Sequence, residues 1–520
     1  MSAPAVSGRP AGELDLRALA AGDGGTRWIK VVDQTKCIGC HACTTACKSE
    51  NEVPLSVTRT YVKAVEVGVF PQARRAFQVT RCNQCEDAPC VAACPTSAMY
   101  RRPDGIVDFD KSVCIGCKAC MAACPYDAIF INPDDHSAEK CNFCSHRIDA
   151  GLEPACVVVC PVEAILVGDL RDPSSKVARI VQREPVAVRR PEKETRPKLF
   201  YKGAHQATLD PLAARRPEGG LFMWSEQHGM TSGHPALGNT SAAALLAYDV
   251  PHRAPWDWRV GLYTWTKSIA AGAYLAALLL VLAGLTAWSS SLWLWAAPLV
   301  AGGSLAATGA ILIWDLEHPL RFPLIFLRPQ WGSWLVRGAF VITGYSAALG
   351  LHVLSSLAGL ESPQHWLALG GAPLAAATAV YTGYLFAQAK ARDLWQSPLL
   401  PPHLLVQALL AGSAALLPLA HWLDDEAIEP LGWTIGIAAA VHLLVVAGEV
   451  TLTHPTAHAH LAVQELVRGR YAGFFWAGAA LVAVAVAAPW IGVVAVPFAL
   501  AGLLLYEHAH VQAGQAVPLA

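Results

Sequence analysis

The chain has 520 residues, enough for several domains, and its formal charge of -1 averages two unlike halves, so it identifies no partner. All sixteen cysteines lie between Cys37 and Cys160, whereas from about Lys267 onward Ala, Leu, Val, Gly and Trp dominate in runs long enough to cross a bilayer. No basic patch with interleaved aromatics is present, which argues against a nucleic-acid partner.

Residues 1–26 read as an N-terminal tail with neither an apolar core segment nor a twin-arginine pair, so no secretory signal is expected. A disulfide framework, typical of small secreted domains, is therefore not expected either. The cysteines fall into four quartets. These are Cys37-x2-Cys40-x2-Cys43-x3-Cys47, Cys82-x2-Cys85-x4-Cys90-x3-Cys94, Cys114-x2-Cys117-x2-Cys120-x3-Cys124 and Cys141-x2-Cys144-x11-Cys156-x3-Cys160. Pro95, Pro125 and Pro161 follow the last cysteine in three of them, and Lys48 in the other. Such a loop wraps three thiolates around one cubane, with Gly39 and Gly116 easing the turn, and the fourth cysteine is expected to start a helix toward a neighbouring cluster. Zinc ribbons use paired C-x2-C knuckles rather than triplets with a displaced Cys-Pro, so zinc is disfavoured. Lys48 is expected to alter a helix start rather than a ligand.

Residues 27–200, with these quartets, resemble the four-cluster ferredoxin subunits of molybdopterin oxidoreductases, which include the electron-transfer subunits of polysulfide, dimethyl sulfoxide and nitrate reductases and of formate dehydrogenase. The resemblance implies an α+β ferredoxin-like domain of two pseudo-symmetric dicluster modules and four [4Fe–4S] clusters. It pairs the quartets first with fourth and second with third. Cluster 1 would take Cys37, Cys40, Cys43 and Cys160, and cluster 2 Cys47, Cys141, Cys144 and Cys156. Cluster 3 would take Cys82, Cys85, Cys90 and Cys124, and cluster 4 Cys94, Cys114, Cys117 and Cys120. The family order runs from the catalytic partner at cluster 1 to the membrane at cluster 4.

Residues 172–260 are rich in Pro, Arg, Glu and Gly without periodicity, and are expected to be largely structureless. Within them 201–260 is taken as a linker or partner-contacting extension. A membrane domain follows at 261–510, with a short tail at 511–520. Apolar runs of about 20 residues predict eight transmembrane helices. They lie near 267–288, 291–314, 334–358, 365–388, 403–423, 432–452, 471–488 and 490–508. Small residues at 301–310 (AGGSLAATGA) suggest helix packing. Loops on one side carry Arg321, Arg328, Arg337, Lys390, Arg392, Arg468 and Arg470, and Arg253, Arg259 and Lys267 come before or at the first span. The opposite loops have no Lys or Arg, which predicts a multi-pass protein of the bacterial inner membrane with its iron–sulfur domain in the cytoplasm.

The segments WDLEHPLRFPLIFLRPQWGSWLVRGAF (314–340) and YTGYLFAQAKARDLWQSPLLP (381–401) resemble the NrfD/polysulfide reductase membrane family. That resemblance implies an all-α bundle binding ubiquinone or menaquinone, without haem, in a pocket at the ferredoxin end. Polar groups in a membrane are costly and often functional. Lys267 reads as opening the first span, Asp315, Glu317 and His318 as closing the second, Tyr381 and Tyr384 as ending the fourth, and Glu449 as near the end of the sixth. Tyr381 is the first quinone-site candidate, because a tyrosine of this segment lines the family's site. Lys267, His318, Asp315, Tyr384 and Glu449 follow. His352 and His442 are read as the only histidines deep in spans, too few for haem and better suited to packing.

The expected function is an electron-transfer and membrane-anchor subunit, not itself substrate-converting, between a cytoplasmic molybdopterin catalytic subunit and the quinone pool. Electron flow is expected toward quinone, and a higher oligomer of the heteromeric complex is compatible with the sequence. The alternative is a component of a larger respiratory assembly whose bundle translocates ions.

Overall fold

The computed structural model describes residues 25–68, 70–215, 244–360 and 362–520, so most of the N-terminal tail and residues 216–243 of the expected linker lie outside the described residues. The chain divides into two compact units, Met1–Arg253 with Pro518–Ala520, and Ala254–Val517.

The first unit is α+β. Strand β1 (Trp28–Asp33) leads to helix α1 (Ala42–Glu50) and the long hairpin β2 (Thr60–Val67) and β3 (Arg74–Arg81). Two short modules follow. Helix α2 (Pro89–Ala93) precedes the hairpin β4 (Met99–Arg101) and β5 (Val107–Phe109), and helix α3 (Ala119–Ala123) precedes the hairpin β6 (Ile129–Ile131) and β7 (Ala138–Lys140). Then come α4 (Ser145–Asp149), α5 (Ala155–Val158), β8 (Ile165–Asp169), α6 (Lys176–Arg183), β9 (Val186–Ala187), β10 (Leu199–Lys202), α7 (Gln206–Leu209) and β11 (Leu245–Tyr248).

The main sheet has the order β8-β1-β10-β9, with β1 antiparallel to β8 and parallel to β10. Ile29, Val31 and Phe200 on one face of it pack with Val177 and Val181 of α6, and Val32, Leu199 and Tyr201 on the other pack with Cys43 and Cys156. The region expected to be structureless therefore supplies strands to this sheet through β9 and β10, and β11 extends the β2–β3 hairpin. These strands have two to four residues, too short for a period-2 pattern to stand out among prolines and charges.

The second unit is helical. Its long helices are α8 (Trp258–Leu282), α9 (Ala297–Trp314), α10 (Trp334–Leu357), α11 (Ser362–Gln388), α12 (Leu400–Leu423) and α13 (Ile428–Thr451). Helices α14 (Ala457–Val467), α15 (Ala472–Ala485) and α16 (Ala495–Ala516) complete it. Among the described residues six segments are long and apolar enough to cross a membrane, and α11 with the shorter apolar α15 brings the number of candidate spans to the expected eight. A π-helical turn at Leu292–Ala296 leads into α9.

Helix α8 packs against α9, α11, α12 and α16. It begins nine residues before its expected start, because Asp257 caps it by accepting from Arg259 N. Lys267 consequently lies within the helix, fully buried, and does not open it. Helix α16 likewise runs past 508 into the expected tail, where Arg392 donates to the carbonyls of Gln515 (2.9 Å) and Val517 (3.3 Å) at its end.

Helices α8 and α12 cross backbone to backbone at Gly272 and Gly412, where an added Cβ on Gly272 would sit 1.6 Å from the Ala408 carbonyl oxygen. The small residues of 301–310 pack as expected through Ala301 and Thr308, both buried, with Thr308 Oγ1 2.8 Å from Thr266 Oγ1 of α8, whereas a Cβ on Gly302, Gly303 or Gly309 would meet nothing within 4 Å.

Candidate metal centres and membrane site

The C-x-x-C turns share one backbone device. Their third residue has positive φ in all four quartets: Gly39 (+70°), Gln84 (+50°), Gly116 (+70°) and Phe143 (+68°). At Gly39 the reason for glycine is also steric, because a Cβ would fall 2.3 Å from the Phe77 ring. The fourth cysteines do not start helices as expected. Cys94 and Cys124 instead end the five-residue helices α2 and α3, since a residue before proline is driven out of helical conformation. Where Lys48 replaces that proline, α1 continues to Glu50, and Lys48 Nζ donates to the carbonyls of Pro54 (2.7 Å) and Val57 (2.6 Å). The lysine changes a helix end, not a start.

These turns place the sulfurs in four groups. One cavity is lined by Cys37, Cys40, Cys43 and Cys160, a second by Cys82, Cys85, Cys90 and Cys124, and a third by Cys94, Cys114, Cys117 and Cys120. Cys47 has Cys141, Cys144 and Cys156 as its electrostatic neighbours, and Asn51 Nδ2 reaches both Cys47 Sγ (3.6 Å) and Cys144 Sγ (3.7 Å). Each group draws one cysteine from a different quartet. Among the described residues no three His, Cys, Asp or Glu side chains converge on a single-ion site, so the thiols surround cavities rather than a point. Such a donor set fits a cubane, which spreads its ligands, better than zinc.

Burial pushes several of the thiols up, Cys43 and Cys124 to about 11 and Cys47 to about 12. Cys156 is shifted the other way. Burial would raise it too, yet the Arg81 guanidinium and the Lys30 ammonium hold it down to about 7. Backbone amides also reach sulfur, from Gln84 to Cys82, Met99 to Cys94, Ala138 to Cys114 and Ala164 to Cys160, at 3.2–3.4 Å.

In the helical unit the quinone-site candidates separate into groups. Lys267 Nζ donates to the Ala379 carbonyl (2.7 Å) and to Thr382 Oγ1 (2.8 Å), and lies 5.0 Å from the Tyr381 ring centre. Tyr381 is buried, packed where a Cβ on Gly338 would be. Asp315 lies 3.4 Å from Arg259 Nη2, itself over the Trp314 ring, and His318 is half-buried in the turn after α9. Tyr384 points outward, 41% exposed and stacked on Trp334.

Glu449 belongs to a different cluster. Its carboxylate accepts from Tyr506 Oη (3.0 Å) and lies 3.6 Å from His403 Nδ1, while His403 Nε2 is 2.9 Å from His442 Nδ1. His403, His510 and Glu507 are all buried, so His352 and His442 are not the only deep titratable groups. Glu507 accepts from Thr264 Oγ1 (3.2 Å) and interacts electrostatically with Lys267. Sequence reading missed these because His403 sits in the first turn of α12, where it reads as a span edge, and Glu507, His508 and His510 look like the flank of an ending span. His352 Nδ1 is 3.3 Å from Tyr274 Oη.

Comparison with known proteins agrees with both halves. Residues 73–170 match the 4Fe-4S dicluster domain family, and residues 249–497 match polysulphide reductase, NrfD. The chain is 40% identical over 197 residues to a tetrathionate reductase subunit of Salmonella typhimurium, a match covering 36% of this chain and 77% of that protein. It is 44% identical over 171 residues to a component of the polysulfide reductase of Wolinella succinogenes, covering 32% of this chain and 90% of that one. The protein NrfC of Escherichia coli strain K12 is 40% identical over 179 residues, covering 34% and 80%. This protein belongs to the 4Fe–4S electron-transfer subunits of reductase complexes, joined here to an NrfD-type membrane subunit. These curated relatives account for about the first third of the fusion protein, and the NrfD match for much of the remainder. It is therefore an iron–sulfur membrane protein whose relatives work as parts of larger complexes.

Proposed function

We propose that the fusion protein carries electrons between a molybdopterin catalytic subunit in the cytoplasm and quinone in the bacterial inner membrane, with quinone as the acceptor. Four [4Fe–4S] clusters would be held by the cysteine groups above, supplying one-electron transfer when bound. The arrangement of basic loops supports the cytoplasmic placement of the iron–sulfur unit.

The observation that carries the quinone reading is Lys267. A fully buried lysine amine in an apolar bundle, held by a carbonyl and a hydroxyl beside a buried tyrosine, is expensive and is best understood through function. A quinone head group needs donors for two carbonyl oxygens, which Lys267 and Tyr381 provide. Protons must accompany electrons, and Glu507 and the Glu449–His403 pair are placed to hold them. Asp315 and His318 would act from the rim, and the outward Tyr384 would anchor α11.

The test uses the purified complex, its clusters reduced by a low-potential dye, with reoxidation by a soluble quinone followed by cluster absorbance. Tyr381→Phe and Lys267→Ala should slow reoxidation about 100–1000-fold, in the range of lost donors and proton carriers, while an artificial acceptor still oxidises the clusters at the wild-type rate. Wild-type rates with quinone in both variants would reject this site.

One observation favours a second reading, in which the bundle also moves ions. The buried series of Tyr506, Glu449, His403 and His442 is longer than two isolated histidines and consists of groups able to relay protons.

A further inference from the structure

We propose that Lys30 and Arg81 set the reduction potential of the cluster held by Cys47, Cys141, Cys144 and Cys156, raising it above that of the same cage without them. The proposal rests on the ligand assignment of the preceding subsection.

Both cations belong to the sheet framework, Lys30 within β1 and Arg81 at the end of β3, and both are 2% exposed. Arg81 Nη1 donates to Cys156 Sγ at 2.9 Å, and Lys30 Nζ reaches the same sulfur at 4.0 Å while lying 4.0 Å from the Phe143 ring centre. Arg81 Nε and Nη2 have no hydrogen-bond partner among the described residues. A buried cation without a carboxylate is costly, so its counter-charge must come from elsewhere, and the nearest source is the thiolate cage. Arg81 is electrostatically coupled to Cys156, Cys141 and Cys43, so its field falls mainly on this group and secondarily on the neighbouring one.

A third side chain addresses the same cage. Asn51 Nδ2 points at Cys47 and Cys144, and its oxygen is fixed by Arg59 Nη1 at 2.8 Å. Arg59 is neutralised by Glu139 at 2.6 Å, so its charge is spent locally, unlike those of Lys30 and Arg81.

Gaining an electron makes an anionic cage more negative. A fixed positive charge in contact with a ligand sulfur stabilises that reduced form more than the oxidised one, and the effect is large where water is excluded. Lys30 and Arg81 are thus positioning residues that act on a potential through Cys156 rather than on a substrate.

The experiment is a potentiometric titration of the full-length protein in its complex, with the four one-electron steps followed by electron paramagnetic resonance. Lys30→Met should lower one step by about tenfold in its reduction constant, about 59 mV for one electron, and leave the other steps in place. Lys30→Arg should restore it. Asn51→Asp, which puts an anion against the same cage, should lower the same step, and Lys30→Gln serves as the deciding variant if Lys30→Met fails to assemble. Four retained clusters with no step moved, or one shift shared equally by all four, would overturn the proposal. Cys156→Ala tests the ligand assignment separately. It should abolish or convert the step that Lys30→Met moves, and loss of a different step would show that the assignment is wrong.

Discussion

At the scale of single residues, charge placement in the iron–sulfur unit has a measurable consequence at His252. Its ring is fully enclosed, with Nδ1 at 2.5 Å from Asp127 and Nε2 at 3.2 Å from Asp249. Burial alone would lower its pKa, but the two carboxylates overcome that and raise it to about 10. An unfolded histidine titrates near ~6.5. The stabilisation from the charged ring is therefore fully present below that value and is lost as pH rises toward 10. Asp249, held below the ordinary carboxylate range despite its burial, contributes in the opposite window, with stability lost only as pH falls through the acid range. Thermal unfolding of the full-length protein, followed by loss of visible cluster absorbance, should show a midpoint that falls between pH 7 and 10. His252→Gln should lower the midpoint at pH 7 and flatten that fall. An equal slope in the variant would mean that this triad does not govern it. None of this was legible in the sequence, because Asp127 lies 125 positions from His252 and only the fold brings them together.

At the scale of elements, the cysteine turns were readable and the helix crossings were not. The spacing of sixteen cysteines with three Cys-Pro pairs specifies local turns, and the positive φ at Gly39 and Gly116 agrees with the glycine expected there. Even so, the helix direction around the fourth cysteine was misread, because a proline marks an end as readily as a beginning. Strand β10 escaped notice for a different reason: its place in the main sheet depends on pairing with β1, far away in the sequence. Small-residue spacing at 301–310 marks a packed stretch, which holds for Ala301 and Thr308 but not for the glycines, since composition does not show which helix face meets a neighbour. The contrast can be tested directly. Gly272→Leu would drive a side chain into the α12 backbone, an overpacking cost of at least about 1–3 kcal/mol, whereas Gly303→Leu meets open space. Thermal denaturation in detergent should show a marked fall in midpoint, or failure to accumulate, for the first and a near-wild-type value for the second. Similar behaviour of the two would contradict the α8–α12 crossing.

At the scale of the whole molecule, the continuity of the buried polar groups decides between the two proposed readings of the bundle, quinone reduction alone or quinone reduction with ion movement. Among the described contacts, Tyr506 bonds Glu449, Glu449 lies 3.6 Å from His403 and His403 lies 2.9 Å from His442, one connected set, and His352 joins Tyr274 in another. No described hydrogen bond links the two sets. A half-path of this kind can bring protons to a quinone, but transport across the bilayer requires continuity from one face to the other. Reduction of one quinone consumes two electrons and two protons. In sealed vesicles of known sidedness, with a one-electron dye that releases no protons as the donor on the side bearing the basic loops, turnover should therefore remove two protons per quinone from that side and release none on the other. His442→Asn should slow the reaction while keeping that ratio, because it removes a carrier and not a pump. Protons appearing on the far side in excess of those consumed, and vanishing in His442→Asn, would instead establish ion translocation as a second activity of the bundle.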